Sequence, residues 1–106
     1  MPKYLGHGSY TAEGWKGLEK ESPIHRREFM TNFVTSVGGK LEIFYFTFGE
    51  HDFVWIADYP DHITAAAVAV AVQETGTVKS HQTPLLTVED MEAAFKKHVA
   101  YRAPGR

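Results

Sequence analysis

Residues 40–58 limit what this chain can fold into more than any other stretch. Residues 41–48 and 53–58 are rich in aromatic and β-branched side chains, which suit a pleated, packed surface. Between them, Gly49-Glu50-His51-Asp52 has turn composition: Gly accepts positive φ and Asp bonds its own local backbone. A turn centred there pairs Phe48 with Phe53, Phe46 with Trp55 and Phe44 with Ala57. Alternation along a strand places these side chains on one face. Leu41, Ile43, Tyr45, Thr47, Val54, Ile56 and Asp58 take the other. Neither face alternates apolar with polar, as an antiparallel sheet with one wet side does. Both therefore need cover. A chain of 106 residues has helices enough for one face, and a second subunit is the economical cover for the other.

The flanking residues supply the other elements. Lys3–Tyr10 reads as a strand with Leu5, His7 and Ser9 on one side and Tyr4, Gly6, Gly8 and Tyr10 on the other; its glycines permit close approach of a backbone or ligand. Thr11 caps a short helical piece carrying Trp15 and Leu18, and the charges at Glu19, Lys20 and Glu21 mark a break. Ser22-Pro23 starts the next helix, Phe29, Met30, Phe33, Val34 and Val37 give it an apolar stripe, and Gly38-Gly39 ends it. Asp61 caps an alanine- and valine-rich helix that is apolar nearly all round and so buried on more than one side. Thr77–Pro84 reads as a fourth strand. Thr87 opens a last helix with Met91, Ala94 and Phe95 on one stripe.

The order is therefore βαββαβ plus a C-terminal helix, an α+β, ferredoxin-like sandwich. Right-handed crossovers put the first and third strands at the centre and the second and fourth at the edges. The wholly apolar hairpin face, with Phe44, Phe46, Phe48, Phe53 and Trp55, is assigned to the helices. The chain reads as one domain over residues 1–99 with a tail at residues 100–106.

Composition excludes several classes. A net charge of −2 without a basic stripe argues against nucleic acid. The absence of cysteine removes disulfides, thiolate nucleophiles and thiolate metal sites. The longest apolar run, residues 65–72, is too short to span a bilayer, and no secretory h-region opens the chain. A cytoplasmic protein without a membrane partner is the expectation.

The chain resembles the GYD-domain family over nearly its full length. The resemblance rests on Met1-Pro2-Lys3-Tyr4, Tyr10-Thr11, Glu21-Ser22-Pro23, Gly38-Gly39-Lys40, residues 45–52, and Pro60-Asp61 before the alanine-rich helix. Of the Gly-x-Tyr-Asp element, Gly49 and Asp52 match, whereas His51 stands where the family has Tyr and removes that hydroxyl. The resemblance implies a ferredoxin-like fold of the dimeric α/β-barrel type, with two sheets packed face to face, and no particular reaction. Related folds include cofactor-free monooxygenases, haem enzymes and amino-acid sensor domains, among which fold alone does not choose.

The side chains suited to chemistry are few. Tyr10, Tyr45, Thr47 and Asp58, placed on the open side of the sheet, would set polar groups in an apolar interface or a pocket beside it. His51-Asp52 is either an acid–base pair at the mouth of a cleft or a turn whose Asp bonds backbone amides. Trp55 supplies an aromatic wall. Together Tyr10, Tyr45, Thr47, His51, Asp52, Trp55 and Asp58 are the candidate ligand-binding residues. His7 and His81, on strands that could be neighbours, are weak metal candidates with Asp52 or Asp58 as a carboxylate, but no pair has the spacing of a metal motif. His25, His62 and His98 fall on helices. No metal or other cofactor is expected. Three readings stay open: a homo-oligomer, at least a dimer, holding a small apolar or aromatic molecule; a cofactor-independent oxygenase or isomerase; or a structural oligomerisation module.

Overall fold

The computed structural model describes residues 1–106. In chain order it contains β1 (Lys3–Tyr10), α1 (Ala12–Glu21), α2 (Pro23–Ser36), β2 (Lys40–Phe46), β3 (Phe53–Asp58), α3 (His62–Gln73), β4 (Val78–Leu85) and α4 (Val88–Phe95). The strands make one antiparallel sheet in the order β2-β3-β1-β4. This is the ferredoxin-like α+β arrangement, with the first and third strands central. No helix is long and apolar enough to cross a membrane.

Each helix starts where a side chain can satisfy orphan amides. Thr11, Ser22, Asp61 and Thr87 accept from the backbone N–H of Gly14, His25, Thr64 and Asp90, and Thr87 and Asp90 form a reciprocal capping box. Gly38 takes φ +83° beyond α2, the left-handed conformation a helix end favours. The charged residues Glu19 to Glu21 do not interrupt the chain as expected. The first helix runs through Glu21, and Ser22 alone turns the chain into α2 at φ 92°. A non-glycine residue held there stores about 1–3 kcal/mol of strain.

Alternation splits the sheet into an inner face, under α2 and α3, and an outer face. Tyr4, Phe53, Trp55 and Ala57 point inward and pack with Val34, Tyr59, Ala65 and Val68 as the core. The second helix lies against β2 and the third against β4, on opposite flanks of the sheet.

The hairpin differs from its expected register. Phe46 pairs with Phe53 and Phe44 with Trp55, two residues out of step with the predicted pairs, and β2 ends at Phe46. The six-residue connection closes instead through the Thr47 amide, which donates to the Asp52 carbonyl at 2.8 Å. Because the slip is even, facing is kept: Phe53 and Trp55 are buried and Phe44 packs against the core. Phe46 remains 40% exposed, and Phe48, now in the loop, is fully exposed. A bulge between Leu41 and Ile43 moves Leu41 inward opposite Ala57. It also brings Glu42 to the outer face, where Lys3 bonds both Glu42 and Asp58.

None of the α4 residues is buried. Its apolar stripe, including Met91 and Phe95, lies uncovered, and His98 falls beyond its end rather than on it.

Gly6 is the tightest point of the sheet. A Cβ there would lie 2.1 Å from the Cε2 and Cζ2 atoms of Trp55, so the indole rests directly on the β1 backbone. We therefore expect Gly6→Ala to displace the indole and lower stability by about 1–3 kcal/mol. Gly17→Ala, where a Cβ meets nothing within 4 Å, should instead raise it by up to about 1 kcal/mol through helix propensity. Chemical denaturation of the two variants checks both signs; an unperturbed Gly6→Ala protein would contradict the packing.

Candidate functional site

Because α2 and α3 sit on opposite flanks of the inner face, a cleft of about 400 Å³ opens between them, roofed in part by α1. Its floor is the inner row of the sheet: Phe44, Phe53, Trp55, Tyr10, Ser80 and Gln82. Its walls are Met30 and Phe33 from α2 and Val68, Ala69 and Val72 from α3. The short side chains of α3 leave the space; larger ones would fill it. The floor is aromatic and layered. Phe53 stacks on Trp55 with ring centroids 5.7 Å apart, and Tyr10 leans on Phe53 at 5.0 Å.

Few polar groups reach the cleft. At its edge Arg26 Nε donates to Glu21 Oε1 at 2.7 Å, each side chain about one third exposed (33% and 34%), and the guanidinium lies over the Phe29 ring at 4.9 Å. This pair neutralises itself. Burial pushes the Tyr10 hydroxyl up to about 12, so it remains protonated at neutral pH. Gln82 Nε2 donates to the Ala65 carbonyl at 2.9 Å, while Gln82 Oε1 is buried without a partner. Trp55 Nε1 and the Tyr59 hydroxyl are likewise buried, with no partner but each other. Burial raises the Tyr59 hydroxyl, and a hydrogen bond from the Trp55 indole opposes the rise.

On the outer face three histidines gather. His7 and His81 stand directly opposite each other across β1 and β4, ring centroids 5.6 Å apart, and His51 from the hairpin loop lies over His7 at 3.9 Å. His7 Nδ1 is buried and unpartnered. No group of three His, Cys, Asp or Glu side chains converges with metal-binding geometry. Desolvation holds His7 below its ordinary value of 6.5, helped by the charges His51 and His81 would carry and opposed by Glu50.

The candidate residues from sequence thus separate. Tyr10 and Trp55 line the cleft. Tyr10 was expected on the open side; alternation from Tyr4 through Gly6 and Gly8 carries it inward instead. Tyr45 is on the outer face and 63% exposed. Thr47 and His51 are in the hairpin loop, where the Thr47 hydroxyl donates to the His51 carbonyl. Asp52 ties that loop to β1: its amide donates to the Gly8 carbonyl at 2.8 Å and its carboxylate accepts from the Tyr10 amide at 2.9 Å. Asp58 is held by Lys3 at 2.8 Å. Sequence reasoning missed Gln82, Arg26 and Glu21. For Gln82 a signal existed: Val78, Ser80 and Gln82 alternate on one side of β4, and a long amide at an inward strand position needs a partner.

A family model described as GYD domain matches residues 4–95. No curated protein and no solved structure matches.

The depressed His7 value has a pH consequence. The unfolded chain takes up a proton near pH 6.5, before the folded chain does. The stability due to neutral His7 is therefore present above that pH and is lost as pH falls through the lower folded value. Between pH 8 and pH 5.5 the denaturation midpoint should fall more for the wild type than for His7→Gln. Equal losses would show that His7 carries no linked proton.

Proposed function

The chain belongs to the GYD-domain family, and from that premise we propose that it is a homo-oligomeric protein that binds a small apolar or aromatic molecule in the cleft between the helices and the sheet. The observation that carries this reading is the cleft itself. Its volume of about 400 Å³ and its mainly apolar, aromatic lining with few polar groups are those of small-molecule sites. The cleft is open to solvent, and an apolar ligand that displaces its water removes the aromatic floor from that water.

Assembly is argued from the opposite side of the sheet. Leu5, Ile43, Val54 and Ile56 form a half-buried apolar row there, with the exposed Tyr45 beside it. A second copy apposed on this face, with α4 reaching across, buries both uncovered stripes. The cleft lies on the far side from this contact, so one copy supplies a complete site.

An enzymatic reading is less favoured. No imidazole faces the cleft to activate its Thr75, Thr77 or Ser80 hydroxyl, and its only charged side chains are the mutually bonded Glu21 and Arg26.

Calorimetric titration with indole tests the binding claim. The wild type should bind it with a Kd of about 1 mM or tighter, as expected for a nine-atom apolar probe. Ala69→Phe, which fills the cleft from α3, should weaken it by roughly an order of magnitude while the fold persists. Undiminished binding by Ala69→Phe would place the probe elsewhere, and no binding at all by the wild type would refute the reading. For assembly, sedimentation velocity at micromolar concentration should give a dimer or larger, and Ile56→Lys should dissociate it. A folded wild-type monomer would end that part of the proposal.

A further inference from the structure

Of the three imidazoles that meet on the outer face, one stands on a segment that can leave. His7 belongs to β1, which is paired on both sides, and His81 stands opposite it on β4. The sheet ladder fixes both. His51 lies in the connection between β2 and β3, and its ring rests on His7 with centroids 3.9 Å apart and planes 30° from parallel. The rest of the connection is held at its base. The Thr47 amide donates to the Asp52 carbonyl, and Asp52 is tied to β1 at Gly8 and Tyr10. Phe48, Gly49 and Glu50 are exposed. At the tip, the His51 ring is therefore the side chain that lays the loop on β1.

Such a stack suits neutral rings. Two imidazolium ions this close repel each other, and little around them compensates. The His7 Nδ1 is buried without a partner, so a proton placed there finds no acceptor. Glu42 and Asp58 are engaged by Lys3, Glu21 by Arg26, and the Asp52 carboxylate by the Tyr10 amide. Glu50, in the loop itself, favours a charge on His7, and His51 and His81 oppose it. Lys79 shares the outward row of β4 with His81 and adds positive charge. Across β3 and β2 the row continues through Val54 and Tyr45, which bring no charge at neutral or acid pH.

We propose that His7, His51 and His81 form an acid-sensitive latch: neutral, they hold the hairpin loop down on β1, and protonated, they drive His51 off His7 and free the tip. His7 and His81 cannot retreat without breaking the ladder between β1 and β4, so the loop alone relieves the repulsion. Asp52 keeps the base attached, which makes the motion a hinge and not an unfolding of the hairpin. The loop lies on the face assigned to a second copy, so acid alters the surface that such a copy meets. The latch itself requires neither the cleft nor assembly.

Backbone amide relaxation of the full chain, measured by NMR at pH 7.5 and pH 5.0, tests the latch across the range in which imidazoles titrate. In the wild type the order parameters of residues 48–51 should be about 0.85 at pH 7.5 and fall below about 0.6 at pH 5.0, while those of Gly8 and Val54 stay constant. His51→Phe keeps an aromatic ring over His7 without a titratable group, and its loop should stay ordered at both pH values. His7→Gln, which removes the ring beneath, should make loop order independent of pH and serves if the phenylalanine variant does not fold. A wild-type loop equally ordered, or equally mobile, at the two pH values overturns the inference. So does a loop that still loosens at pH 5.0 in these variants, the result expected if a carboxylate rather than an imidazole takes the proton.

Discussion

The contact on which the rest of the molecule depends is the indole of Trp55 lying flat on the backbone at Gly6. Only a residue without a Cβ lets the ring descend that far, since a methyl there would sit 2.1 Å from its carbons. The ring is nearly fully buried, at 3% exposure, at the centre of the sheet, and Phe53 stacks beside it. This flat aromatic floor keeps the space above it open. With the ring lifted off β1, the same indole would occupy the space between α2 and α3.

Helix placement follows from the same economy. The second helix brings large side chains, Met30 and Phe33, over β2, and the third brings small ones, Ala65, Val68 and Ala69, over β4. Small side chains let α3 lie close to its strand, near enough for its Ala65 carbonyl to accept from Gln82. They do not reach across to α2. The core is thus continuous beneath the helices and open between them. On the other side of the sheet the chain packs no helix closely, and α4, apolar on one stripe, buries none of its residues.

The order and type of the elements were legible in the sequence because capping residues, helical apolar spacing and the two strand-like runs all agreed. The sheet order followed from crossover handedness. What escaped was local. The hairpin register slipped by two because a six-residue connection, held by Asp52 on β1, replaced the tight turn that Gly49–Asp52 suggested. The bulge beside Glu42 has no composition of its own and reversed the facing of Leu41. Alternation within Lys3–Tyr10 groups Tyr10 with Tyr4, Gly6 and Gly8, and because Gly6 and Gly8 stand opposite the inward Trp55 and Phe53, Tyr10 faces inward and not to the open side. The cleft itself was illegible, because it depends on the separation of two helices rather than on any residue pattern. Of the residues named from sequence, Tyr10 and Trp55 meet there, and Tyr45, Thr47, His51, Asp52 and Asp58 serve the outer face or the loop.

The central claim is that small aromatic molecules enter between the helices and the inner face of the sheet. Chemical-shift mapping of isotopically labelled protein with indole tests it most directly. The Trp55 indole N–H and the methyl groups of Val68 and Val72 should move with ligand concentration, and those of Leu5 and Ile56 on the outer face should stay fixed. Shifts confined to Leu5 and Ile56, or none at any of these positions, would contradict it.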